Sequence, residues 1–123
     1  MNLWTKYIAC RYIAAMRRQS YLILLALAAG PLHGYGIVQR VGELSDGGVR
    51  IGAGTLYGAL DRLAGDGLVE ASGEEVVRGR NRRYYRLTCA GREAVAEETA
   101  RLEHLAATAR RLLGQARTER RTA

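Results

Sequence analysis

Apolar residues recur along this chain with more than one period, and the period changes at glycine and proline. Between residues 3 and 15, Trp4, Ile8 and Tyr12 fall four apart with Leu3 and Tyr7 beside them, which is one face of a helix. Residues 18–29 are apolar nearly all round, from Leu22 through Leu27, and such a helix belongs in a core. Gly30-Pro31 stops it. Ile37, Val38, Val41 and Leu44 then predict a helix over 34–44, closed by the turn Ser45-Asp46-Gly47-Gly48. A third helix is predicted over 54–64. Leu56, Leu60 and Leu63 share one side of it; Thr55, Gly58, Asp61 and Arg62 share the other. Gly65-Asp66-Gly67 ends it.

Helical spacing then ceases. Residues 68–72 and 83–87 read as two strands joined by an exposed loop that contains Gly79 and Asn81. A hairpin alone is marginal in water, so this one has to lean on the helices. Tyr84 and Tyr85 must point to opposite faces, one inward and one outward, and the pattern leaves open which. Thr88 is a suitable N-cap for a further helix. Along that helix Val95, Leu102, Leu105, Ala109 and Leu112 form an a/d seam that Glu98 interrupts at its first d position. Two heptads are too few for an independent coiled coil but enough to help two copies pair. Residues 115–123 lack a period and are expected to fray. The expected division is an N-terminal helical extension (1–16), a domain over 17–88, a dimerisation helix over 89–114 and a tail over 115–123.

Charge sharpens this outline. The 123 residues suffice for one domain, and they carry a net charge of +7 with a pI near 10.0. Arg78, Arg80, Arg82, Arg83 and Arg86 crowd into residues 78–86 with no acid among them. Clustered cations of this kind suit a phosphate-rich partner. The chain has eighteen arginines against the single lysine Lys6, which looks like a coding bias. The choice of arginine therefore says less than where the arginines gather.

Other chemistry is sparse. Cys10, Cys89, His33 and His104 stand singly, without the spacing of a metal site, so no metal is expected and the thiols fit a reducing cytoplasm. His33 reads as a turn residue and His104 as a surface residue. No nucleophile has a base, no carboxylates pair at an interpretable spacing, and Gly52-Ala53-Gly54-Thr55 lacks the Gly-Lys-Ser/Thr of a nucleotide loop. Neither an enzyme nor a bound cofactor is implied. Read from Met16, an alternative start, MRRQSYLILLALAAG imitates a secretory signal. Lys6 and Arg11 precede it, however, and Tyr21–Leu32 is too short to cross a bilayer. A buried helix explains the run, with no membrane partner and a cytoplasmic location.

Three helices followed by a basic hairpin describe a winged helix-turn-helix: a mainly α fold with a small β-hairpin, extended by a C-terminal dimerisation helix. In that geometry the third helix fits the major groove of double-stranded DNA and the hairpin loop reaches phosphates or a minor groove. Gly54, Gly58 and Ala59 keep the helix slim, and Thr55 and Tyr57 can donate to phosphate. Each has a plainer reading. Tyr35 and Tyr57 could be half-buried tyrosines with wet hydroxyls, Gly58 a tolerated small residue, and Arg62 a partner of Asp61 or Asp66.

Three stretches in order, LALAAGPLHGYGI, GTLYGALDRLAGDGLVE and GRNRRYYRLTCAGREAV, resemble the PadR family of transcriptional regulators over residues 18 to about 113. The resemblance implies a dimeric DNA-binding regulator, usually a repressor, of the compact branch with one C-terminal dimer helix. It would set Tyr35 against backbone phosphate and Thr55, Tyr57, Gly58 and Arg62 along the recognition helix. Arg80, Asn81 and Arg82 would form the wing tip, with Arg78 in the same loop. It also implies a second candidate role, sensing a phenolic or drug-like effector held between subunits. The last helix offers such a ligand no aromatic residue, and the chain's one tryptophan is Trp4. A winged domain used only for protein contacts is the third reading.

Overall fold

A computed structural model describes residues 16–122. The helix expected over 3–15, with Trp4 and Cys10, lies outside the described residues. The elements are α1 (Arg18–Ala26), β1 (Leu32–His33), α2 (Gly34–Leu44), α3 (Ala53–Gly65), β2 (Val69–Val77), β3 (Arg80–Leu87) and α4 (Cys89–Thr122). The strands form one antiparallel sheet in the order β1-β3-β2.

The signal-like run is a core helix. Leu22, Ile23, Leu24 and Ala26 of α1 are buried, as is Leu27 just beyond it, against Ile37 and Val41 of α2 and Leu56, Leu60 and Leu63 of α3. Among the described residues no helix is long and apolar enough to cross a membrane. α3 ends as its glycines predict. Gly67 takes φ +76°, its N–H donates to Ala64 O and the Leu68 N–H donates to Leu63 O. That pair of bonds closes the helix and sends Leu68 and Val69 straight into the core as β2 begins.

The hairpin is longer and tighter than expected. Residues 73–77 and 80–82 are strand, not loop, and only Arg78-Gly79 turn. Both have positive φ, +52° and +77°, the geometry whose twist matches that of the flanking strands. Cross-strand pairs hold the extra length. Glu74 accepts from Asn81 Nδ2 at 3.1 Å and lies 3.7 Å from Arg83 Nε, Glu75 accepts from the Tyr84 hydroxyl at 2.7 Å, and Glu70 accepts from Arg86 Nε at 2.7 Å. A bulge between Ala71 and Gly73 lets the pairing shift register. The open question of the tyrosines resolves: Tyr85 is in the core, and Tyr84 faces out toward His33. His33 itself is not a free turn residue but the second residue of β1 and the N-cap of α2.

Thr88 caps α4 as expected. Its hydroxyl accepts from the Gly91 N–H at 3.0 Å and donates to Gly67 O at 2.6 Å. Gly91 is pressed against the backbone just ahead of β2: a Cβ there would stand 2.0 Å from Leu68 O. We expect Gly91→Ala to force these backbones apart and destabilise the domain by about 1–3 kcal/mol, seen as a lowered melting temperature.

Two expectations for α4 need correcting. The helix does not end at 114 with a fraying tail; it continues to Thr122. Beyond Gly114 the residues are mostly good helix formers, and propensity can extend a helix that has no apolar stripe. The seam is also shorter than its heptad suggests. Val95 is buried in the core of its own domain together with Ala94, so it is not part of an outward seam. Glu98, read as a break in the seam, is buried too, with both carboxylate oxygens bound by Arg101. That bidentate pair holds Arg101 protonated above the ordinary arginine value. Beside it, the Tyr21 hydroxyl hydrogen-bonds Thr99 Oγ1 at 2.7 Å and ties α1 to α4.

Candidate nucleic-acid interface

α3 presents two unlike faces. Leu56, Ala59, Leu60 and Leu63 are buried, while Gly54, Thr55, Tyr57, Gly58, Asp61 and Arg62 are exposed. The three leucines lie where the 3.6-residue period puts them, whereas Ala59, expected with Gly54 and Gly58 to keep the helix slim toward DNA, is buried in the core instead. Arg62 has no carboxylate within salt-bridge distance among the described residues, so the pairing with Asp61 or Asp66 does not form. A Cβ added at Gly54 or Gly58 would meet nothing within 4 Å. The fold itself therefore does not require glycine at either position, although each weakens the helix by up to about 1 kcal/mol relative to alanine.

Tyr57 is half exposed, and its hydroxyl end lies over the backbone of α2. A Cβ at Gly34 would stand 2.8 Å from that oxygen. The glycine of His-Gly-Tyr thus makes room for the tyrosine of Thr-Leu-Tyr, and the two sequence motifs meet in space. Tyr35 is 64% exposed, well beyond half-buried. Its hydroxyl accepts from Gln39 Nε2 at 3.2 Å, and its ring stacks parallel to that of His33 with centroids 6.5 Å apart.

In the hairpin, the five arginines are not equivalent. Glu70 and Glu74 offset Arg86 and Arg83 across the strands, and Arg82 Nη1 lies 3.0 Å from His33 Nε2. Among the described residues Arg78, at the turn, and Arg80, beside it, have no such partner. The tip thus carries the charge that nothing offsets, along with Val76, which is 72% exposed. Tyr84 sits at the root, where its bond to Glu75 and, secondarily, burial raise its pKa above the usual tyrosine value. The sequence reading missed the three glutamates. Their signal was present: once the chain folds back at a two-residue turn, Glu70, Glu74 and Glu75 fall opposite Arg86, Arg83 and Arg82.

On α4, the residues of the predicted seam beyond Val95 line up on the outside. Leu102, Leu105 and Leu112 are 37%, 56% and 55% exposed, and Ala109 between them is exposed as well. Leu113 adds a neighbouring apolar side chain. Among the described residues no His, Cys, Asp and Glu gather as a metal site.

Three core helices, a two-residue strand and a charged hairpin beside an exposed α3 define a winged helix-turn-helix protein. The comparisons place it further. The model of the transcriptional regulator PadR-like family matches residues 23–97, and the chain belongs to that family; its members are transcriptional regulators, not enzymes. The transcriptional regulator Rv3488 of Mycobacterium tuberculosis is 48% identical over 84 residues, covering 68% of this chain and 75% of that one. A PadR-like transcription factor from Bacteroides fragilis has a similar structure, with TM-score 0.64 and 31% identity over 76% of this chain and 88% of its own. Bacillus subtilis PadR, solved in complex with operator DNA, shares the fold with TM-score 0.58 at 24% identity; the match covers 67% of this chain and 46% of that one.

Proposed function

We propose that this regulator is a homodimeric repressor that binds a sequence-specific operator in double-stranded DNA, with α3 in the major groove and the wing on the flanking backbone. The observation that carries the reading is the solvent face of α3, kept slim by glycines that the fold does not need. Thr55, Tyr57, Gly58 and Arg62 line that face, and Tyr35 stands at the start of the preceding helix. Arg78 and Arg80 supply phosphate contacts, joined by Asn81 and Arg82 once they leave their partners within the chain. Leu102, Leu105, Ala109 and Leu112 form the contact between copies. That the Bacillus subtilis protein was solved with operator DNA supports the reading.

The wing term can be measured. Replacing Arg78 and Arg80 with alanine should weaken binding to every duplex. The dependence of log K on log salt should become shallower by about 0.9 for each phosphate that is no longer neutralised. Arg86→Ala removes a charge that Glu70 already offsets and should leave the slope near that of the wild type. Equal slopes in all three proteins would take the wing tip out of the interface. A small-molecule effector remains the second reading. It predicts that planar aromatic compounds quench Trp4 fluorescence or release bound DNA.

A further inference from the structure

One imidazole is asked to do two incompatible things. His33 Nδ1 accepts from the Gly36 N–H at 3.1 Å and so caps α2. His33 Nε2 lies 3.0 Å from Arg82 Nη1, and a guanidinium can only donate. A neutral imidazole has one nitrogen with a free lone pair; the other carries the proton. With the proton on Nε2 the ring caps α2 and cannot hold Arg82. With the proton on Nδ1 it holds Arg82 and cannot cap α2.

The surroundings make this competition consequential. The backbone of His33 is paired with Tyr84 in the sheet, and the Tyr84 ring packs edge-on against the imidazole at 5.4 Å. The imidazole also stacks on Tyr35 in the first turn of α2. The ring therefore stays in place whichever nitrogen is protonated, and what changes is which neighbour it serves. One neighbour belongs to the helix-turn-helix and the other to the wing.

We propose that His33 is a positioning residue whose tautomer couples the wing to α2: it holds Arg82 in the free protein, and when a phosphate takes Arg82 it turns to capping α2. The ring proton leaves Nδ1 for solvent and another arrives at Nε2, so the net charge does not change. The part of this that involves phosphate rests on the DNA-binding reading; the competition between Arg82 and Gly36 does not.

The test is the nitrogen-15 spectrum of the imidazole, recorded at a pH where histidines are neutral. His104→Gln on exposed α4 serves as background, leaving His33 as the only histidine. The free protein should give a signal displaced toward the Nδ1–H form. Arg82→Ala should move it to the Nε2–H form without DNA. Random-sequence duplex at low salt should move the parent protein to that same signal and leave the Arg82→Ala protein unmoved. A ring indifferent to Arg82→Ala overturns the inference whether or not DNA binds. If Arg82→Ala moves the ring, and duplex binds by mobility shift without moving it, the competition stands and phosphate is overturned as its trigger. If Arg82→Ala moves the ring and no duplex binds, the competition is again supported, and it is the DNA-binding reading that fails.

Discussion

Gly58→Ala should make the protein more stable and a poorer DNA binder. Its Cβ enters open space on an exposed helix, so the fold loses nothing and gains helix propensity. The gain should be about 0.5–1 kcal/mol, raising the melting temperature by roughly 2–8 °C. Binding should move the other way. If α3 lies in a groove, a methyl group at position 58 holds the helix away from base edges, and loss of about 1.4 kcal/mol is a tenfold drop in affinity. Thermal melting and a titration of one duplex separate the two effects. Opposite signs are hard to obtain from a residue that is merely tolerated. A more stable protein with unchanged affinity would mean that the face of α3 meets no backbone or base at this point.

If the exposed stripe of α4 joins two copies as proposed, Leu105→Asp should leave the winged domain folded and abolish that dimer. Leu105 is more than half exposed, so the chain's own core does not depend on it. Between two copies the new carboxylate would be buried without a partner, at a cost of several kcal/mol. Sedimentation or native mass measurement should show a monomer, with a circular dichroism spectrum close to wild type. Operator affinity should fall by about 10²–10⁴, because two half-sites would no longer be engaged together. Leu102→Asp tests the same stripe one turn earlier. A dimer that survives both substitutions would place the contact elsewhere.

The parts of this molecule that were legible in its sequence are those with a strong period and a firm stop. α3 is the clearest case. Three leucines at helical spacing marked its buried side, the glycines after it ended it, and the exposed remainder was the candidate interface; only Ala59, small enough to suit either side, was misplaced. The hairpin was read too short because Gly73, Glu74 and Glu75 have poor strand propensity when taken alone. Their stability comes from the facing Asn81, Arg83 and Tyr84, which a reading of one segment at a time does not count. β1 is two residues long and has no period at all. Along α4 the heptad located an apolar stripe but could not say where its own domain lets go. That point lies between Val95, which is buried, and Leu102, which is not, and the Glu98–Arg101 pair marks it.

The arginine cluster changed most in meaning. As sequence it was five like charges; in the fold two are offset by β2 glutamates, one is shared with a histidine and two stand at the tip. The wing is better described as a charged point on a neutralised stem than as a uniformly basic lever. That arrangement keeps the strands from repelling one another while leaving the unopposed charge at the tip.

Selection of bound fragments from a pool of random duplex DNA tests the central claim most directly. A symmetric dimer of winged helices predicts enrichment of an inverted repeat whose half-site centres lie about one helical turn, roughly 10 base pairs, apart or a multiple of it. Recovery of an unenriched pool, or of a single site without two-fold symmetry, would contradict it.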